Sequence, residues 1–327
     1  MKISILGSGT WGVALANALA QKHDVFVWVP LEDEYIYLLK NDEHPHLKGV
    51  KLAKNICFSK SIEDSINDSD FVIFAVPSIY IREVARKAKP FLNKKQIIVD
   101  VAKGIEEKTL FTLSEVIIDE IGEGYSIVAL SGPTHAEEVA IRLPTLIVAS
   151  SHNIDAMKIV QKEFSLPYFR IYVNDDIKGV ELSGSLKNII ALASGISDGL
   201  GYGDNAKAAI ITRGLAEIAR LGRAVGSKEK SFYGLTGIGD IVVTSTSKHS
   251  RNYNAGFYLG KGLSLNETLE KVGMVVEGIN CLKAAKKIAN KYEVEMPIVD
   301  AVYSVVFENT KPLDAVNALF NRELKFE

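Results

Sequence analysis

The sequence predicts an α/β chain in which a doubly wound sheet is followed by an all-α domain, and three observations carry that prediction. Short β-branched apolar runs alternate with segments of helical period up to about residue 150, the pattern of βαβ units around a parallel sheet. From about residue 177 the strand-like runs vanish and helical periodicity takes over. At the very start, Gly7-Ser8-Gly9-Thr10-Trp11-Gly12 spells G-x-G-x-x-G between a strand and a helix, the arrangement of a Rossmann-type dinucleotide-binding unit.

Taken in order, residues 2–6 (KISIL) read as the first strand and residues 10–21 as a helix rich in small residues, which can pack closely. Further strands are expected at 24–29, 71–76, 96–101, 127–130 and 146–150. Their apolar runs are nearly continuous, as in strands covered by helices on both faces. Helices are then expected at 177–197, 205–221, 265–271, 278–291, 297–306 and 313–319, whereas 234–244 and 247–254 read as loops. The chain of 327 residues suits two domains. The short polar turn Val173-Asn174-Asp175-Asp176 places them at 1–175, binding a dinucleotide, and 176–327, helical and carrying substrate-binding and catalytic residues.

Composition excludes several classes. A formal charge of -2 gives no general attraction to nucleic acid or to anionic membrane. The longest apolar stretch, 71–76, falls far short of the roughly 20 residues of a membrane span. Gly7, Ser8 and Gly9 interrupt the first apolar run too early for a signal peptide, so a cytoplasmic protein is expected. Cys57 and Cys281 lie far apart without a C-x-x-C or a partnering His, so free structural thiols and no metal site are expected.

Candidate chemistry begins with the hexad. Gly7 and Gly9 let backbone approach a pyrophosphate at the helix N-terminus, and Gly12 lets helix and strand pack closely. Trp11 is expected to contact the cofactor beside its nicotinamide half, with core packing as the alternative. An acid for NAD or an arginine for NADP is expected after the second strand. Pro30-Leu31 stand there instead, with Glu32 and Asp33 slightly late, so the choice between NAD and NADP is open.

Lys103 and Gly104 follow a strand directly, and Ser131-Gly132-Pro133-Thr134 follows the next. Both therefore reach the carboxyl edge of the sheet, where ligands collect. In the run ELSGSLKN, Lys187 has Ser183 and Gly184 one turn back and Ile190 and Ala191 one turn ahead. An ammonium on such a face is desolvated, which favours proton exchange near neutrality and suits a general acid/base. An ion pair with Glu181 is the structural alternative. Asp240 and Thr244 arrive on the glycine-rich run GLTGIGD, and Ser250-Arg251-Asn252 offers a planar cation with polar neighbours, matched to a phosphate or carboxylate.

GSGTWG, VAKG, SGPTHAEE, ELSGSLKN, GLTGIGD and HSRN, in this order and at these intervals, resemble the NAD(P)-dependent glycerol-3-phosphate dehydrogenases. The resemblance implies a cytoplasmic, usually dimeric enzyme. It would reversibly reduce dihydroxyacetone phosphate, a phosphorylated triose, to sn-glycerol 3-phosphate for phospholipid synthesis. It makes Lys187 the proton donor/acceptor and Lys103 a contact of both substrate and cofactor, with Asn188, Asp240 and Thr244 around the reacting carbon. Gly132 and Thr134 would bind substrate, and Ser250, Arg251 and Asn252 its phosphate. Thr10, Trp11, Ala136, Arg251, Val275 and Glu277 would contact the dinucleotide. Many members carry an arginine where Pro30-Leu31 stand, a departure that bears on NADP preference.

Overall fold

The computed structural model describes residues 1–324 and residue 326. They form two compact units: Met1–Lys103 with Phe111–Val180, and Gly104–Leu110 with Glu181–Glu327.

The first unit alternates strands and helices: β1 (Lys2–Leu6), α1 (Thr10–Leu19), β2 (Asp24–Trp28), α2 (Glu32–Asn41), β3 (Ile56–Ser59), α3 (Ile62–Ile66), β4 (Phe71–Phe74), α4 (Ile81–Ala88), β5 (Ile97–Asp100), α5 (Leu113–Ile121), β6 (Ser126–Ser131), α6 (Ala136–Ala140), β7 (Thr145–Ser150), α7 (Ile154–Phe164) and β8 (Phe169–Asn174). The strands make one sheet in the order β3-β2-β1-β4-β5-β6-β7-β8. The order reverses between β1 and β4, the switch point at which a doubly wound sheet opens its ligand crevice. Alternate side chains feed two apolar layers. Ile3, Ile5, Val25, Val27, Phe71 and Ile73 face one, and Leu6, Trp28, Val72, Phe74 and Ile98 face the other. Burial on both faces explains the near-continuous apolar runs.

Two strands escape the sequence reading, β3 and β8, and they are the two edges of the sheet. An edge strand lacks full cover, so its pattern dilutes: Cys57 in β3 and Arg170 and Tyr172 in β8 are exposed. The sheet is also not wholly parallel, because β6 and β7 pair antiparallel. Their connection, residues 132–144, carries only the short α6.

The second unit is helical. The chain enters it within α8 (Ile177–Gly199), continuing through α9 (Asp204–Ala224), α10 (Asp240–Thr246), α11 (Arg251–Gly260), α12 (Leu265–Val272), α13 (Glu277–Lys291), α14 (Pro297–Phe307) and α15 (Pro312–Phe320). Residues 181–197 of α8 are buried without a break, the mark of a central helix. Its neighbour α11 approaches at backbone distance. A Cβ on Gly195 would collide with the Tyr253 carbonyl, and one on Gly256 with the Leu192 carbonyl. The segment 104–110 completes this unit: Ser185 Oγ donates to the Gly104 carbonyl at 3.0 Å, Ile105 enters the apolar core, and Lys287 Nζ lies 2.9 Å from Glu107 Oε1.

Of the stretches expected as loops, 235–244 and 251–254 prove to be helical, whereas 247–250 is a turn between helices. Leu235–Gly239 makes a turn of π-helix leading into α10, and Arg251 opens α11. Glycine-rich composition hid the first, because the close approach of Gly237 to the Phe232 carbonyl leaves no room for a side chain. Ser250 starts the second as its N-cap, accepting the Tyr253 N–H at 3.1 Å.

Candidate active site

In the first unit the glycine-rich turn leaves β1 at the switch point. Gly7 adopts φ 121°, and a Cβ there would stand 2.8 Å from the Ala75 carbonyl oxygen. Gly12 lies against the Gly7 carbonyl, so helix and strand meet with no room for a side chain. Gly9 differs: nothing stands within 4 Å of where its Cβ would be, so this side of the turn is open. Gly9 is also the N-cap of α1 and supplies no side-chain cap, leaving the first amides of the helix for a ligand. Thr10 Oγ1 is buried with no hydrogen-bond partner among the described residues. An open glycine cradle, uncapped amides and an orphaned hydroxyl fit a dinucleotide pyrophosphate. Trp11 is half-buried and packs against the apolar layer beneath the turn.

Two other strand ends meet at the same edge. Lys103 Nζ donates to the Gly132 carbonyl at 2.9 Å, and Thr134 Oγ1 donates to the same oxygen at 3.1 Å. Gly132 takes φ 148°, and a Cβ there would stand 3.1 Å from the Ile147 Cα. The lysine, the glycine and the threonine therefore form one cluster. Ala136, buried, opens α6 just beyond it.

In the second unit Lys187 is only 6% exposed, and its Nζ lies 2.6 Å from Asp240 Oδ1 and 2.5 Å from Thr244 Oγ1. Asp240 and Thr244 are four residues apart on α10, so one helix face presents both, and Thr244 Oγ1 also donates to Asp240 Oδ1 at 3.3 Å. The partner is thus Asp240, where the sequence alone offered Glu181. An opposite charge at this range offsets the desolvation of the ammonium.

Asn188, the next residue, belongs to a second chain of bonds. Asn252 Nδ2 donates to Asn188 Oδ1 at 3.0 Å, and Asn252 Oδ1 accepts the Gly278 N–H at 2.8 Å. One buried amide thereby ties α8, α11 and the start of α13 together. Glu277 opens α13 beside this anchor, and Val275, half-buried, lies two residues before it. Arg251 is the exposed first residue of α11, with no hydrogen bond or ion pair among the described residues, which leaves its guanidinium available to an anion.

Sequence reasoning thus named the members of each cluster without their partners. It missed Ser185, which holds the Gly104 carbonyl two residues before Lys187, although that serine stands in the quoted run SGSLKN. It also passed over Glu34, whose carboxylate reaches the glycine-rich turn. Among the described residues no group of three or more His, Cys, Asp or Glu side chains could hold a metal ion, and no helix is long and apolar enough to cross a membrane.

Comparison with known proteins agrees over the whole chain. A family profile described as NAD-dependent glycerol-3-phosphate dehydrogenase N-terminus matches residues 2–157, and its C-terminus counterpart matches residues 176–317. The chain is 52% identical to glycerol-3-phosphate dehydrogenase [NAD(P)+] 2 of Lactobacillus delbrueckii subsp. bulgaricus, over 100% of this chain and 98% of that protein. It is 50% identical to glycerol-3-phosphate dehydrogenase [NAD(P)+] of Bacillus velezensis, over 98% and 94%. The crystal structure of glycerol-3-phosphate dehydrogenase from Coxiella burnetii superposes with a TM-score of 0.95 at 36% identity, covering 98% of this chain and 99% of the other.

Proposed function

The chain belongs to the NAD-dependent glycerol-3-phosphate dehydrogenase family, and from that premise we propose how its own residues divide the work. The reaction is the reversible, NAD(P)-dependent reduction of dihydroxyacetone phosphate to sn-glycerol 3-phosphate. The dinucleotide, when bound, supplies the hydride or takes it back.

Lys187 is the proton donor/acceptor. The observation that carries this reading is the buried Lys187 ammonium, held on one side by Asp240 Oδ1 and Thr244 Oγ1. Hydride arrival at a ketone carbon leaves negative charge on its oxygen, and a preorganised cation stabilises that charge and then yields a proton from Nζ. Asp240 and Thr244 each accept from the ammonium, which holds Nζ in place. Lys103, tied to the Gly132 carbonyl, adds positive field and touches both substrate and cofactor, with Gly132 and Thr134 lining the substrate side.

Arg251 grips the substrate phosphate, supported by Ser250 and Asn252. That grip turns binding energy into orientation of the carbonyl. Gly7, Gly9, Thr10, Trp11, Gly12, Ala136, Val275 and Glu277 hold the dinucleotide together with Lys103 and Arg251. Domains at 1–175 and 176–327, a cytoplasmic homodimer and a product destined for glycerophospholipid synthesis complete the proposal.

The test follows nicotinamide absorbance with dihydroxyacetone phosphate and, in parallel, with unphosphorylated dihydroxyacetone. Turnover is expected with the first and almost none with the second. Equal turnover of both would remove the phosphate grip from the reading.

A further inference from the structure

Pro30-Leu31 leave the adenosine end of the dinucleotide without the residue expected after the second strand, but the fold brings an acid there from one helical turn further on. Glu34, in the first turn of α2, accepts a hydrogen bond from Ser8 Oγ at 2.8 Å. Ser8 is the second residue of the glycine-rich turn and is 2% exposed. The Glu34 carboxylate therefore lies against the turn that receives the pyrophosphate, where a dinucleotide fold keeps the acid that binds the adenosine ribose.

Glu34 is held from behind as well. His44 Nε2 lies 3.4 Å from Glu34 Oε1, and His44 is 1% exposed. The His46 N–H donates to His44 Nδ1 at 3.2 Å, which leaves the proton of the neutral ring on Nε2, facing the carboxylate. Ser8 and His44 engage one oxygen each. A carboxylate has about four lone-pair sites, so both oxygens can still accept a hydrogen bond, and the side chain is 22% exposed.

The 2′- and 3′-hydroxyls of a ribose offer two donors to such a group. A 2′-phosphate replaces one donor with a charge of about -1.5 to -2, and a carboxylate repels it. The cation beside this end of β2 is engaged already: Trp28 Nε1 donates to the Lys60 carbonyl at 3.1 Å, and the Lys60 ammonium pairs with Glu32.

We propose that Glu34, pinned by Ser8 and backed by His44, binds the adenosine ribose diol and makes this chain selective for NAD over NADP. The proposal rests on the glycine-rich turn being the dinucleotide site. Calorimetric titration of the purified protein with NADH and with NADPH, without substrate, tests it. NADH is expected to bind at least roughly tenfold more tightly. Glu34→Gln keeps an acceptor for Ser8 and removes the charge, so the ratio should fall towards one, chiefly through tighter NADPH binding. Lys60→Ala should leave the preference for NADH in place.

Equal binding by the unaltered protein, tighter NADPH binding, or an unchanged ratio in Glu34→Gln would overturn the proposal. Collapse of the ratio in Lys60→Ala would do so too, by assigning the choice to Lys60. Failure of the unaltered protein to bind either dinucleotide would instead refute the turn as the cofactor site. If Glu34→Gln does not fold, Glu34→Ala is read in its place: it also removes the charge, so the ratio should again fall towards one, and an unchanged ratio counts against Glu34.

Discussion

Lys187 and Asp240 form an ion pair at 2.6 Å in the interior of the helical unit, with 6% and 1% of their surfaces exposed. Each charge makes the burial of the other tolerable, so chemistry and stability are coupled at this pair.

Lys187→Ala should lower kcat by roughly 10² to 10⁴, the range for loss of a general acid/base or a preorganised charge stabiliser. NADH affinity, measured by titration, should stay nearly constant. Turnover within a few-fold of normal would take Lys187 out of the mechanism.

Asp240→Asn keeps the shape of the side chain and strips the charge that faces the buried ammonium. Breaking such a pair costs about 3–5 kcal/mol, so Tm should drop by several degrees and kcat should fall with it. The reading of a coupled pair fails if Tm is unmoved.

For Arg251→Ala the expected change lies in KM for dihydroxyacetone phosphate. A hydrogen bond to a charged group contributes about 1.5–3 kcal/mol, or roughly ten- to over a hundredfold in KM. Discrimination against the unphosphorylated ketone should largely vanish. Unaltered discrimination would place the phosphate elsewhere.

Glu217 governs a pH effect. Its carboxylate, buried in the second unit, accepts the Ile298 N–H at 2.9 Å and the Val299 N–H at 3.4 Å, capping the start of α14 from α9. Burial pushes its pKa up from 4.5 to about 7, with the two backbone donors opposing the rise. The folded state then binds a proton more tightly than the unfolded chain. By linkage this contribution to stability is greatest below pH 4.5 and declines as pH rises to about 7. Denaturant titrations at pH 5 and pH 7 should show a smaller difference for Glu217→Gln than for the unaltered protein. An identical difference in both would clear Glu217 of the effect.

Gly256→Ala forces a methyl group into the Leu192 carbonyl, and overpacking of this kind costs about 1–3 kcal/mol or more. Because α11 also carries Asn252, bonded to Asn188 on α8, kcat should fall together with Tm. A shift in Tm with full activity would show that the crossing supports the fold alone.

The sequence made the central strands legible because burial on both faces writes an unbroken apolar run. It did not show β3 and β8, whose exposed edges interrupt that run, nor the reversal at β7, since an apolar run carries no mark of strand direction. Lys187 was legible as a charge among small and apolar neighbours, yet its counter-ion lies 53 positions away, beyond any local pattern. Asn252 read as an anion donor, and the fold adds a framework duty for it, with the amide bridging Asn188 and the Gly278 N–H. Glu34 looked like one acid in a helix-starting run, since its bond to Ser8 exists only once β1 and β2 lie side by side.

Residues 104–110 belong to the second unit although the chain on both sides of them belongs to the first. As the chain emerges from a ribosome, the sheet unit can assemble once residue 180 is out, while Ile105 still waits for helices that have not been synthesised. A gene cut at residue 175 would leave that apolar loop on the N-terminal product and a gap in the core of the C-terminal one. The excursion therefore makes the enzyme a single translational and evolutionary unit, one that shuffling could move whole but not in halves.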